Sequence, residues 1–192
     1  MGFILSATAI IRGNSLSLHR DKCYDMIEIK EQDIIKAAEE GMDAFLQVFT
    51  DHYKAALAGD PSAETMNQLN GEQHSLLAYH FFVEEVRTGG FCQLIQNGYG
   101  PYIFENPFAK AMRLWGLKDF SKLIYKAKEI YDEHKVDLTK ERSEEEFMAM
   151  YEQYEAFDEL EEQFFEEEEL ISMQIASYVD EHIDLFAKIV KD

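Results

Sequence analysis

Apolar residues recur every three or four positions along most of this chain, which is the spacing of amphipathic helices. Between residues 31 and 57 the spacing is unbroken, so we expect one long helix there. Its apolar positions are Ile34, Ile35, Ala38, Met42, Phe45, Leu46, Phe49, Tyr53 and Leu57. Alternation typical of strands is weak everywhere, and no internal repeat is present. The pattern therefore predicts an all-α fold.

Helix-capping residues divide the middle of the chain into shorter elements. Asn70 is placed to cap a helix over residues 70–87, and Gly89 is placed to end it. A short helix over residues 91–96 then fits between glycines.

Two further helices follow in the same way. One is expected over residues 106–115, with Pro107 in its first turn and Gly116 just past its end. The next runs over residues 118–138. We expect the core to be built around three helices, which span residues 70–87, 106–115 and 118–138.

The chain contains neither glycine nor proline after Gly116. Ser143 and Glu146 have the spacing of a capping box, which marks the start of a helix. That helix either continues to Val190 or breaks near residues 170–172. The overall prediction is a single-domain helical bundle with a long acidic C-terminal helix or helix pair.

The first 25 residues follow a different pattern. The segment "FILSATAII" is too short to span a bilayer and has no basic residue before it, unlike a signal peptide. We predict a poorly structured extension over residues 1–25 and one helical domain over residues 26–192. Cys23 and Cys92 match no metal-ligand or redox spacing, so they are interpreted as free thiols in a cytoplasmic protein.

Charge narrows the classes of partner. The chain has 18 basic and 38 acidic residues and a net charge of -20. Nucleic acids and anionic membranes attract positive surfaces, so direct binding to either is not expected. Basic proteins and cations are the partners that this charge favours.

The acidic residues are densest between residues 141 and 169, where fourteen acidic side chains accompany one basic side chain. On a helical wheel one broad face is apolar and contains Phe147, Met150, Tyr151, Tyr154, Phe157, Phe164 and Phe165. Another face carries a row of carboxylates, which we call the acidic stripe: Glu152, Glu155, Glu159, Glu162, Glu166 and Glu169. Successive stripe residues advance by roughly 5 Å, and DNA phosphates advance by about 3.4 Å per strand. The stripe can thus imitate a row of phosphates, although a solvated face is the simpler interpretation.

The segment "TGGFCQLIQNGYGPY" contains four glycines but is not a phosphate-binding loop. It has no lysine, and a helix rather than a strand precedes it. The glycines are interpreted as helix stops and turn residues. The segment does resemble the Gly-Gly-Phe-x-Gln…Asn-x-x-Gly signature of the bacterial DNA-mimic protein (DMP) family. The matching positions are Gly89, Gly90, Phe91, Gln93, Asn97 and Gly100.

The resemblance implies a function for the acidic stripe. It suggests an acidic helical protein that binds a basic DNA-binding protein, either a transcription factor or a nucleoid protein, and blocks its DNA site. A helical interaction or immunity-type module that binds another basic protein is the main alternative. Whether two copies form a homodimer is left open by the sequence.

An enzyme or metal protein is the least favoured reading. No histidine stands three residues after a glutamate, as a di-metal bundle would require. His80 and Glu84 share a helix face, but His80 lies among aromatic residues and is interpreted as a packed or surface side chain. Cys92 has no basic neighbour in sequence that would lower its pKa. We therefore expect no catalytic residue, no metal site and no cofactor.

Overall fold

The structure is a computed structural model, and it describes residues 26–57 and 67–191. Its elements, in chain order, are β1 (Glu28–Lys30), α1 (Glu31–Glu40), α2 (Met42–Ala56), α3 (Gly71–Gln96), α4 (Gly100–Phe104), α5 (Phe108–Leu114), α6 (Lys118–Leu138), α7 (Glu144–Gln153), a 3-10 turn (Glu155–Phe157), α8 (Asp158–Glu181), α9 (Ile183–Phe186) and β2 (Lys188–Val190). Helices dominate this described part, which confirms the all-α prediction. The predicted extension over residues 1–25 lies outside it.

The chain divides into two compact units. Among the described residues, the first unit comprises residues 26–57, 67–74 and 175–191, and the second comprises Ser75–Gln174. The predicted boundary of a domain over residues 26–192 remains a prediction.

In the first unit, the prediction of one continuous helix over residues 31–57 is wrong. It is split at Gly41, which has a φ of 127° that only glycine adopts readily, into α1 and α2. The apolar spacing continues through the break, so the hydrophobic pattern alone does not reveal it. The buried Tyr53 of α2 donates a 2.8 Å hydrogen bond to the carbonyl oxygen of Phe186.

A two-stranded parallel sheet also belongs to the first unit and was missed from the sequence. Glu28 pairs with Lys188, Ile29 with Ile189, and Lys30 with Val190. Each strand has only three residues, which is too few for alternation to stand out. The sheet joins two segments that are distant in the chain.

Several helix boundaries follow the local signals that predicted them. Asn70 Oδ1 accepts from the Gln73 amide, and Gln73 Oε1 accepts from the Asn70 amide, each at 2.9 Å. Ser143 and Glu146 form the predicted capping box. Gly116 has a φ of 97° just after α5, and the Leu117 amide donates to the Met112 carbonyl oxygen across it.

Aromatic side chains fill the core of the second unit. Phe82 of α3 is fully buried, and its ring lies near four others, with centroid distances of 5.0–6.3 Å. These neighbours are Phe91, Phe108, Phe120 and Phe164. The core therefore includes α3, α5 and α6, as predicted, and also α8.

The acidic C-terminal region is a helix pair, but it breaks at a different place from the one predicted. Helix α8 continues through residues 170–172, and the break lies at the 3-10 turn (Glu155–Phe157) that follows Tyr154. Tyr154 has φ and ψ of −117° and 39°, and its hydroxyl donates to Asp137 Oδ2 at 2.5 Å. The break, which no glycine or proline marks, therefore coincides with a contact to α6.

Candidate partner-binding surface

The six residues of the acidic stripe occupy three elements of the second unit. Glu152 lies on α7, Glu155 lies in the 3-10 turn, and the other four lie on α8. All six side chains are exposed. Within residues 26–57 and 67–191, none of the six carboxylates pairs with a basic side chain. The stripe is therefore an exposed set of uncompensated charges.

Regular spacing within the stripe is limited to α8. Glu159, Glu162, Glu166 and Glu169 span ten residues of one helix, or about 15 Å at 1.5 Å per residue. The break after Tyr154 ends the continuous helical geometry that the sequence predicted for Glu152 and Glu155. The four carboxylates on α8 are therefore the part of the stripe whose regular spacing resembles that of a row of DNA phosphates.

The outward direction of these carboxylates is set by the opposite side of α8. Leu160 and Phe164 are buried, as is Phe157 just before the helix begins. The Phe164 ring lies 5.0 Å from that of Phe82, in an edge-to-face arrangement. Because residues three and four apart share a helix face, this packing turns the stripe towards solvent.

Phe165 corrects the predicted apolar face. It was expected to point inward, but its side chain is 48% exposed. Leu170 is similarly exposed at 50%. At 100° per residue, Phe165 lies beside Glu162 and Glu169 on one edge of the stripe, and Leu170 lies on the other edge. The outer surface of α8 is thus a row of charges with an apolar side chain on each flank.

Two acidic residues of α8 outside the stripe, Glu167 and Glu168, have side-chain partners. The Arg87 guanidinium pairs with the half-buried Glu168 carboxylate. Glu167 accepts a 3.3 Å hydrogen bond from Gln163. The helix therefore carries one carboxylate beside the stripe, Glu168, whose charge is compensated, and uncompensated carboxylates within the stripe.

The paired glycines of the motif form a kink inside α3. Gly90 has φ of 66° and ψ of −166°, whereas Gly89 has a φ of −164°, which any residue adopts. The Gly89 carbonyl oxygen accepts a 2.9 Å hydrogen bond from the hydroxyl of Tyr151 on α7. The predicted stop after residue 87 thus corresponds to a kink, and the predicted short helix over residues 91–96 to the segment beyond it.

The other motif residues make contacts within the second unit. Gln93 and Asn97 donate to the same oxygen, Glu85 Oε2, at 3.1 and 2.7 Å. Phe91 is buried, and a Cβ added to Gly100 would lie 2.8 Å from the Tyr131 ring. These are packing contacts, and a purely structural role for the motif remains a prediction.

Glu161 is a residue of the site that the sequence interpretation missed. Its half-buried carboxylate accepts a 2.8 Å hydrogen bond from the Phe91 amide. Burial raises its pKa above the ordinary value of 4.5, the Phe91 amide opposes that rise, and the charge of Asp158 adds to it. One signal could have identified it, because Glu161 interrupts the apolar spacing of Phe157, Leu160 and Phe164.

The raised pKa of Glu161 predicts a pH dependence of stability. A carboxyl whose pKa is raised by folding contributes its full stability below 4.5 and loses it as pH rises through the folded value. We expect Glu161→Gln to remove this loss while keeping an oxygen that accepts from Phe91. Urea unfolding at a series of pH values from 4.5 upward should show the variant gaining stability relative to the native protein as pH rises. A pH-independent difference would contradict this assignment.

The structure gives little support to the alternative of an enzyme or a metal protein. Burial, with smaller contributions from the charges of Glu161 and Asp158, raises the pKa of Cys92 to about 12. His80 Nε2 lies 3.2 Å from the Glu84 carboxylate on the same helix. Among the residues that the structure describes, no three His, Cys, Asp or Glu side chains are arranged to hold a metal ion. Nor does any helix in that part have the length and apolarity to cross a bilayer.

Comparisons with known proteins agree with the motif. The profile of the family described as DMP19-like protein matches residues 67–182. A protein from Neisseria meningitidis serogroup B (strain ATCC BAA-335 / MC58), named DNA mimic protein DMP19, is 33% identical over 127 residues. That alignment spans 66% of this chain and 77% of the relative. The profile match contains both the glycine motif and the whole acidic stripe.

Proposed function

This chain belongs to the family of DMP19-like proteins, and on that premise we propose that it is a DNA mimic. In this proposal it binds a basic DNA-binding protein, a transcription factor or a nucleoid protein, and occupies the surface that would otherwise contact DNA. The observation that carries the proposal is the acidic stripe, whose six carboxylates are exposed and uncompensated. The name of the Neisseria relative supports the same activity.

The electrostatics of the stripe favour this use. Like charges three and four residues apart destabilise a helix by a few tenths of a kcal/mol per pair. A helix selected only for solubility would gain from lysines at some of these positions. A partner that presents lysines and arginines for DNA phosphates would meet a similar row of negative charges here.

Competition with DNA tests the proposal directly. The tagged protein would first be used to capture partners from a lysate of its source organism, with a wash at high salt. Each captured protein would then be bound to a fluorescent DNA duplex and titrated with the native chain. We expect displacement of the duplex, with an affinity that falls steeply as salt rises, because exposed charges are screened within about 10 Å at 0.1 M.

Two results would count against mimicry. A captured protein that binds this chain and DNA at the same time does not share one site between them. A captured basic protein with no DNA-binding activity, such as a toxin, would instead support the immunity-type alternative.

A further inference from the structure

The kink of the glycine motif and the acidic helix are in direct contact, although about 70 residues separate them in the chain. Glu161 of α8 accepts the Phe91 amide hydrogen at 2.8 Å, immediately after Gly90. Gly89 and Gly90 have non-helical φ and ψ, so Phe91 lies at the start of the helical segment beyond the kink, where an amide can take an acceptor from another element. The carboxylate of Glu161 supplies that acceptor.

Gly90 is the residue that lets this carboxylate approach. A Cβ at position 90 would lie 2.2 Å from Glu161 Oε1 and 2.7 Å from Oε2, far inside van der Waals contact. The positive φ of 66° also favours glycine. The absence of a side chain at position 90 is therefore what provides the space that Glu161 occupies.

Two more contacts connect the same kink to the elements around the helix break. Tyr151, near the end of α7, donates to the carbonyl oxygen of Gly89 at 2.9 Å. The Phe91 ring stacks on that of Phe157 with centroids 5.1 Å apart. Residues on both sides of Tyr154 are therefore held against Gly89, Gly90 and Phe91.

We propose that the Gly89–Gly90–Phe91 kink is a docking point that sets the rotation of α8 about its axis, with Glu161 as the positioning residue. Packing of Phe164 restrains that rotation loosely, because aromatic rings tolerate several tilts, and the Arg87–Glu168 ion pair and the 2.7 Å Tyr79–Ser172 hydrogen bond restrain α8 at points further along the helix. A hydrogen bond is directional, so the Glu161 contact defines the rotation more narrowly. Successive residues of a helix are about 100° apart around its axis. A small rotation of α8 about that axis would therefore turn the stripe away from a partner.

The inference deepens the proposed function, since it says how the stripe of that same site is aimed. In this proposal the stripe residues contact the partner, whereas Glu161 acts only through the orientation of α8. The family motif then has a physical role, which is to hold the charged helix at a fixed angle.

Carboxylate footprinting of the whole chain tests the rotation without any partner. The variants are Glu161→Ala, which removes the acceptor, and Glu161→Gln, which keeps an oxygen that can accept from Phe91. Each is labelled with a carbodiimide-activated amine and read residue by residue by mass spectrometry. In the native protein Glu162 and Glu166 are exposed and Glu167 and Glu168 are half-buried, so the first pair should react faster.

We expect Glu161→Ala to bring the labelling rates of the two pairs together and to speed hydrogen exchange of the Phe91 amide by about tenfold. Glu161→Gln should keep the native pattern in both measurements. An unchanged pattern in a folded Glu161→Ala protein would overturn the proposal, and so would an equal change in both variants. If Glu161→Ala does not fold, Glu161→Asp keeps the charge but shortens the side chain by one methylene, which withdraws the acceptor from the Phe91 amide. It should shift the labelling in the same direction, and a native pattern there would overturn the proposal.

Binding then separates this inference from the proposed function. With a captured partner, Glu161→Ala should bind severalfold more weakly although every stripe carboxylate is present, and Glu161→Gln should bind normally. Equal binding by Glu161→Ala would overturn the link between rotation and recognition. Failure of the native chain to displace DNA would contradict only the mimic proposal, because the footprint does not depend on a partner.

Discussion

Replacing Glu155, Glu159 and Glu162 together by lysine is expected to slow association with the proposed DNA-binding partner by on the order of 100-fold at low salt. The three exposed residues lie at the centre of the stripe, and reversal changes the local charge by six units. Complementary fields act mainly on association, so the dissociation rate should change less. The measurement is the association rate by surface plasmon resonance at several salt concentrations.

A matched control separates the position of the charges from their number. Glu129 and Glu133 on α6, together with Glu141, are exposed acidic residues of the same unit that lie outside the stripe. Their triple replacement by lysine gives the same net charge as the stripe variant. We expect it to retain most of the native association rate. Equal slowing by both variants would show that total charge, and not the stripe, governs binding.

Gly90→Ala is expected to lower the free energy of unfolding by roughly 2–5 kcal/mol. Part of the loss is backbone strain at a φ of 66°, and part comes from the clash with the Glu161 carboxylate, which would have to leave the Phe91 amide. Urea unfolding monitored by circular dichroism measures the change. Retained stability together with loss of a phosphate ligand would instead mean that the motif binds an anion.

Gly98→Ala is the natural comparison for this variant. Gly98 also has a positive φ, of 87°, but no atom lies within 4 Å of an added Cβ. Gly98→Ala should lower the free energy of unfolding by only about 1 kcal/mol, because it introduces backbone strain and no clash. In a Glu161→Ala background the cost of Gly90→Ala should fall towards that value, because the two residues are in contact and their effects are not additive. An undiminished cost would show that the clash does not matter.

The sequence predicted features that depend on nearby residues. The caps at Asn70 and Ser143, the end of α5 at Gly116 and the whole of α6 depend on signals within a few positions. The resemblance through the glycine motif also identified the family correctly. Such signals act locally, and they agree here with the packing of the folded chain.

Features set by contacts between distant segments were not predictable in this way. The break after Tyr154 coincides with a contact to Asp137, and the exposure of Phe165 follows from the side of α8 that packs on Phe82. The role of Glu161 depends on the space left by Gly90. A helical wheel drawn through the break placed all six stripe residues in one row, although only four share a helix.

The inward and outward faces of α8 are under different selective constraints. Substitution of an outward carboxylate alters the surface that a binding partner would contact, while Leu160 and Phe164 continue to pack inward. Selection can therefore redirect the surface towards a new target by point mutations that leave the core of the second unit unchanged. Duplicated copies of such a gene would be expected to diverge first on the outside of this helix, so that paralogues keep one architecture and, on the proposed function, bind different proteins.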